Sequence, residues 1–216
     1  MSNDKTIIYV SSNREDPEFE KRVRETLVKN SGGLPIISVT QKPIDFGTNI
    51  CVGDVGASGF NFVRQIQIAT EAAKTKFVIH AESDCLYPPD YFEFTPPRED
   101  IAYRNTNIYV LKYKQGFFKK RSSTFAQTVG RDWYLERLNY LFAFKPGLPK
   151  WDTTMFSFPK EIKLKFLDSY EYFTTKNPCI SFKTGRGMRI HTVTKDIELQ
   201  EIPYWGSAKE IRNKYE

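Results

Sequence analysis

Absences narrow this chain first. Its three cysteines, Cys51, Cys85 and Cys179, are odd in number and widely scattered. They suit neither a disulfide framework nor a zinc site, so a reducing, cytoplasmic setting is expected. No apolar run approaches the ~20 residues of a membrane span. Residues 1–5 lack the basic and apolar regions of a leader, and no membrane partner is expected. Neither G-x-G-x-x-G nor G-x-x-x-x-G-K-[ST] occurs, which removes the dinucleotide-binding and P-loop classes. Histidine is limited to His80 and His191, and there is no internal repeat.

What is present fits one globular domain. The 216 residues are 40% hydrophobic and 15% aromatic, too apolar for disorder. The net charge of +6 is unevenly spread. Residues 1–100 carry 11 basic and 15 acidic side chains, a balance of −4; residues 101–216 carry 21 and 11, a balance of +10. A polyanionic partner would meet mainly the second part.

The first hundred residues alternate strand and helix patterns. Residues 6–11 read as a buried strand. Asp16-Pro17 gives an N-cap and a first-turn proline for an amphipathic helix over 17–30, ended by Ser31-Gly32-Gly33. Residues 35–40 form a second strand, and a loop with Gly47, Gly53 and Gly56 follows over 41–57. Ser58 caps a helix with Phe62, Ile66, Ala69 and Ala73 on its inner face, which leads to an apolar strand from Phe77. This βαβαβ order predicts a parallel, nucleotide-binding type of sheet.

That last strand ends in Glu82-Ser83-Asp84. Strand alternation would point both carboxylates the same way, and Pro88-Pro89 then places them on a loop mouth. Hard oxygen donors there suit Mn²⁺ or Mg²⁺ already holding phosphate; solvated acids at a strand end are the plain alternative. His80, inside the apolar run, is expected to be packed or hydrogen-bonded.

Residues 101–131 hold seven bases and no acid: Arg104, Lys112, Lys114, Lys119, Lys120, Arg121 and Arg131. Tyr103, Tyr109, Tyr113, Phe117, Phe118 and Phe125 are interleaved with them. The run suits a nucleic-acid surface with stacking platforms, or a half-buried hairpin with aromatics inside and lysines outside. Further on, helices are predicted over 131–142 and 159–172, a strand over 178–182 and a terminal helix over 208–215. The basic segment Gly185-Arg186-Gly187 precedes Arg189 and His191.

The βαβαβ start, the helix opening Gly59-Phe60-Asn61-Phe62-Val63-Arg64, the Glu82-Ser83-Asp84 triplet before Cys-Leu-Tyr-Pro-Pro, and the late His191 together resemble family-2-like glycosyltransferases of the GT-A fold. The resemblance implies a single α/β domain with a Rossmann-type mixed sheet flanked by helices. A donor subdomain would span 1–100, and an acceptor and lid subdomain 101–216. It implies transfer from a nucleotide sugar, a UDP-sugar by preference, to a hydroxyl acceptor. Asp84 and His191 would bind the metal, and Glu82 would reach the metal through water or hold the sugar. Ser11, Asn13, Arg14 and Gln41 would hold base and ribose, with Asn61 alongside. Arg64 is either near the nucleotide or a plain helix charge. Arg186 and Arg189 would close on the diphosphate. An inverting enzyme also needs a base, for which Asp152 is first choice and Asp132 second. Gln41 departs from the acid often found there, and no Glu-Asp pair marks the base.

The +10 half favours DNA as acceptor, through Arg104, Lys112, Lys114, Lys119, Lys120 and Arg121, with a hydroxymethylated base receiving the sugar as in bacteriophage DNA modification. A protein or saccharide acceptor is the alternative, and a non-enzymatic nucleic-acid-binding domain is the rival of another class.

Overall fold

A computed structural model describes residues 4–112, 116–144, 169–182 and 197–215. At its centre lies β1 (Lys5–Ser11), whose Ile7, Ile8, Tyr9 and Val10 are all buried. A strand buried on both faces belongs inside a parallel sheet covered on each side. Asp16 caps α1 (Pro17–Asn30) by accepting from the Glu18 and Phe19 amides, and Phe19, Val23 and Leu27 face inward. The chain returns through β2 (Ile36–Thr40), parallel to β1.

The glycine-containing loop carries a strand that the sequence did not reveal, β3 (Thr48–Cys51), parallel to β2. Gly47 precedes it at φ 60°, and a Cβ there would lie 2.4 Å from the Ile36 carbonyl oxygen; only glycine admits that approach. Next come α2 (Gly59–Ala72), with Ser58 accepting from the Asn61 amide, and β4 (Phe77–Glu82), parallel to β1. Val63, Ile66 and Ala69 of α2 are core; Phe62, expected with them, is only partly buried.

The acidic turn leads into β5 (Cys85–Leu86). Pro89 does not end regular structure there: it opens the short helix α3 (Pro89–Glu93), as a first-turn proline can. Then follow β6 (Ala102–Asn105), β7 (Ile108–Lys112), β8 (Gly116–Lys120), a 3-10 turn at Thr124–Ala126, β9 (Gln127–Gly130) and α4 (Arg131–Phe144). The helix expected to reach residue 172 is overturned at its end, because β10 (Tyr170–Phe173) is a strand parallel to β6. The last elements are β11 (Cys179–Phe182), the β12 (Glu201–Ile202) and β13 (Gly206–Ser207) hairpin, and α5 (Ala208–Tyr215).

Seven strands form one mixed sheet in the order β10-β6-β9-β4-β1-β2-β3, and four form a second in the order β5-β11-β7-β8. The fold is thus the expected α/β domain. β9 inserts antiparallel between β4 and β6, so the two segments of the chain share one sheet. Helices α2 and α4 cover one face, with Ile66, Ala69, Leu138 and Leu141 against Ile8, Val10 and Val78. On the other face Leu27, Phe46, Tyr87, Tyr91 and Phe125 pack on Ile7, Tyr9 and Ile79. Among the described residues no helix is long and apolar enough to cross a membrane.

Candidate functional site

The parallel strands β1, β2 and β4 end together, where ligands bind in open α/β sheets. A pocket of about 430 Å³ opens there, lined by Ser11, Gln41, Gly56, Phe62, Gln65, Glu82, Asp84 and Lys120, among others.

One wall is a network of polar groups built before any ligand arrives. Glu20 is 2% exposed on the inner face of α1. It accepts from the Ser11 hydroxyl at 2.9 Å and the Asn13 side-chain amide at 3.4 Å, and pairs with Arg24 at 3.4 Å. Burial raises its carboxyl above the ordinary range, while Ser11, Arg24 and Asn13 pull it back. Asn13 takes φ 51°, a conformation asparagine tolerates better than most side chains. Its Oδ1 accepts from the Gln41 and Lys42 amides at 2.9 Å each, joining the ends of β1 and β2. Gln65 ties the same strands from behind, donating to the carbonyls of Ser11 at 2.9 Å and Val39 at 2.8 Å. Gln41 is 5% exposed and donates to the Gly56 carbonyl at 2.8 Å. Its Oε1 is buried without a partner among the described residues. A buried acceptor of that kind costs about 1–3 kcal/mol until a donor arrives.

The opposite wall is acidic. A carboxylate oxygen of Glu82, one of Asp84 and the Cys85 sulfur lie within 4.8 Å of one another. Strand alternation does not bring the acids together: β4 ends at Glu82, and Ser83-Asp84 is a turn. That turn is fixed by the Phe182 amide donating to the Asp84 carbonyl at 2.8 Å. Tyr87 accepts from the Glu82 amide at 3.0 Å and donates to the Phe125 carbonyl at 2.9 Å, which sets the floor. Burial, then Asp84 and Glu82, drive the Cys85 thiol well above its ordinary value, so it stays protonated and donates to Asp84 Oδ1 at 3.5 Å. The two carboxylates are hard oxygen donors of the kind that Mg²⁺ or Mn²⁺ takes.

Of the residues picked out from sequence, Ser11, Gln41, Glu82, Asp84 and Lys120 line this pocket. Asn13 stands directly behind, and exposed Arg14 lies by Gly56. Asn61 acts through the rim, its amide donating to the Val55 and Gly56 carbonyls. Arg64 is not brought in: it bonds Gln67 and lies 5.2 Å over the Phe142 ring. Asp132 is also elsewhere. β9 runs antiparallel to β4 and ends with Gly130 beside Phe77, the first residue of β4. Five strand residues then separate it from Glu82, roughly 17 Å. Its side chain is 87% exposed and pairs with Arg131.

Arg104, Lys112, Lys119, Lys120 and Arg121 lie on or just after β6, β7 and β8. Tyr103, Phe117, Phe118 and Phe125 are buried, so they serve as core rather than as stacking platforms. His80 is packed as expected, 2% exposed, with Nε2 3.2 Å from Gln127 Nε2. Tyr113, Lys114, Asp152, Arg186, Arg189 and His191 lie outside the described residues. Sequence reasoning missed Glu20 and Gln65. Gln65 follows Asn61 by four residues, one helical turn on the same face, and that spacing was the available signal.

No family profile and no curated protein sequence matches the chain. Among solved structures, the glycosyltransferase GlyE of Streptococcus pneumoniae TIGR4 aligns with a TM-score of 0.50 at 9% identity, over 78% of this chain and 44% of that one. The chain thus spans less than half the length of GlyE. A glycosyltransferase involved in glycosylation of the major capsid of PBCV-1 gives 0.48 at 14% identity, over 79% and 81%. The inositol-1-phosphate CTP transferase from T. maritima gives 0.49 at 10%, over 83% and 89%. The likeness to GlyE concerns the fold, which is the GT-A-like architecture expected from the sequence.

Proposed function

We propose that this chain is a metal-assisted glycosyltransferase moving a sugar from a nucleotide sugar to a hydroxyl acceptor. The observation that carries this is the division of one pocket into a hydrogen-bonding wall and a carboxylate wall at the ends of β1, β2 and β4. The unsatisfied Gln41 Oε1 takes an N–H, which the imide of a uracil base offers, in keeping with a UDP-sugar. Across the pocket, Glu82 and Asp84 would hold Mn²⁺ or Mg²⁺. When bound, the ion neutralises charge on the departing diphosphate. Arg186 and Arg189 supply further positive charge in this proposal, and His191 a further ligand.

In the transfer, the acceptor oxygen bonds to the anomeric carbon, the bond from that carbon to the diphosphate oxygen breaks, and the hydroxyl proton leaves to a base. Asp152 is the residue proposed for that proton. Asp132 is not, because it stands at the opposite end of β4.

For the acceptor we propose DNA carrying a hydroxymethylated base. Support comes from the acid-free run of residues 101–131 and from Lys120 on the pocket wall, with exposed Lys119 and Arg121 flanking it. The test is incubation with a panel of nucleotide sugars, Mn²⁺ and hydroxymethylcytosine DNA, followed by mass spectrometry of the nucleosides. A nucleoside heavier by one sugar supports the whole proposal. Modification of a glycan or protein alone overturns the DNA acceptor, and no turnover of any donor overturns the transferase.

A further inference from the structure

The edge of the large sheet carries a feature that neither the donor pocket nor the core requires. Side chains two apart on a strand share a face, and on β10 these are Tyr170 and Tyr172, 40% and 41% exposed. Glu171, between them, turns to the other face and pairs with Arg98 at 3.8 Å. Parallel pairing sets Tyr172 against Arg104 of β6. The Arg104 guanidinium lies 4.3 Å over the Tyr170 ring, and its Nε donates to Gln127 Oε1 at 3.4 Å.

Two facts distinguish this face from an ordinary aromatic edge. First, Arg104 is half-buried, and among the described residues it has no carboxylate partner. A cation withdrawn from water normally takes a counter-charge. Secondly, the two rings meet edge to face with centroids 5.4 Å apart, and Arg121 lies close enough to both phenols, and Ser122 to that of Tyr172, to influence them. The next two residues, Ser123 and Thr124, line the donor pocket. The face is therefore continuous with the pocket mouth. Register places Arg104 roughly 7 Å below the level of Glu82: it pairs with Gln127, which contacts His80, two residues before Glu82. Three strand spacings separate β10 from β4, roughly 14 Å.

We propose that Tyr170, Tyr172, Arg104 and Arg121 form an acceptor face for single-stranded or locally opened nucleic acid. An unpaired base stacks on the exposed rings, and the neighbouring phosphates supply negative charge to Arg104 and Arg121. Rings with two arginines that have no carboxylate partner among the described residues suit a polyanion with flat bases better than a neutral glycan. As an acceptor site this rests on the glycosyltransferase proposal; as a binding face it stands by itself.

The test is fluorescence anisotropy of the full chain with labelled 12-mer single-stranded DNA, the matching duplex and a neutral oligosaccharide, at several salt concentrations. Single strands should bind tighter than duplex, with affinity falling as salt rises. The Tyr170→Ala/Tyr172→Ala double variant should lose roughly tenfold or more, and Tyr170→Phe/Tyr172→Phe should retain binding, since stacking needs the ring and not the hydroxyl. Arg121→Gln, on a surface loop, should flatten the salt slope by about one phosphate. Wild-type-like affinity in the alanine pair, or preference for duplex or oligosaccharide, overturns the proposal. Donor hydrolysis by the wild-type chain is measured separately. Hydrolysis without oligonucleotide binding sinks this face and spares the transferase; binding without hydrolysis does the reverse.

Discussion

The two sides of the large sheet handle buried charge differently. On the β1–β2 side, Glu20 is met by Arg24, Ser11 and Asn13, and Gln65 closes the remaining carbonyls. On the β6–β9 side, Arg104 meets rings and an amide but no carboxylate among the described residues, and His80 beneath it is held neutral. A closed network fixes geometry, as the proposed nucleotide site requires. An electrostatically open one leaves its balance to whatever binds.

The largest expected effect tests the acidic wall. Asp84→Asn should lower transfer by more than about 100-fold, with the melting temperature little changed, because the turn is held by the backbone bond to Phe182. Turnover and thermal melts check this, and excess chelator should mimic the variant. Full activity in either experiment removes the metal from the proposal.

Next comes the open side. Burial, with the Arg104 charge, pushes the His80 imidazole down to about 3, from an ordinary value of 6.5. Below 6.5 the unfolded chain binds a proton that the folded chain refuses, so stability is present at neutral pH. It is lost as pH falls from about 6.5 towards 3, by up to ~1.4 kcal/mol per unit. Urea midpoints at pH 7 and pH 5 should show that loss, and His80→Gln should flatten it.

The closed side answers with a smaller change. Gln65→Ala leaves the Ser11 and Val39 carbonyls short of a donor and should cost about 1–3 kcal/mol, read from denaturant unfolding at constant slope. Smallest of all, Lys119→Ala and Arg121→Ala should shift stability by no more than about 0.5 kcal/mol. A drop comparable to that of Gln65→Ala would show the basic rim to be structural, and the contrast between the two sides would fail.

Much of the fold was legible because its signals are local. The cap at Asp16, the spacing of Phe19, Val23 and Leu27, and the apolar run from Phe77 each act within a few residues. β3 escaped because Thr48–Cys51 is a short edge strand with only half-buried and exposed side chains, and its glycine surroundings read as loop. β10 escaped because Tyr170–Phe173 is too short to reveal alternation after a helix-like pattern. The acids of the site could be seen, as could Ser11 and Gln41, since strand ends collect ligands. Asp132 misled because a helix start says nothing about which end of the sheet it occupies; the reversal of β9 decides that. Glu20 stayed hidden among the charges of an amphipathic helix. Nothing local separates a solvated glutamate from a buried one whose partners lie on the next loop.

The three cysteines differ in how a reagent meets them. Cys85 and Cys179 are sealed in the core, with thiols pushed above their ordinary values by burial, so almost no thiolate is available to react. Cys51 is exposed at the end of β3, and its sulfur donates to the Gln41 carbonyl at 3.6 Å. The native chain thus carries a single addressable handle, against the backbone of the residue whose side-chain amide is expected to read the base. Alkylation kinetics at Cys51 offer a clock for that wall, with no engineered label: a nucleotide that grips Gln41 should slow it, and a ligand confined to the tyrosine edge should leave it running at the same rate.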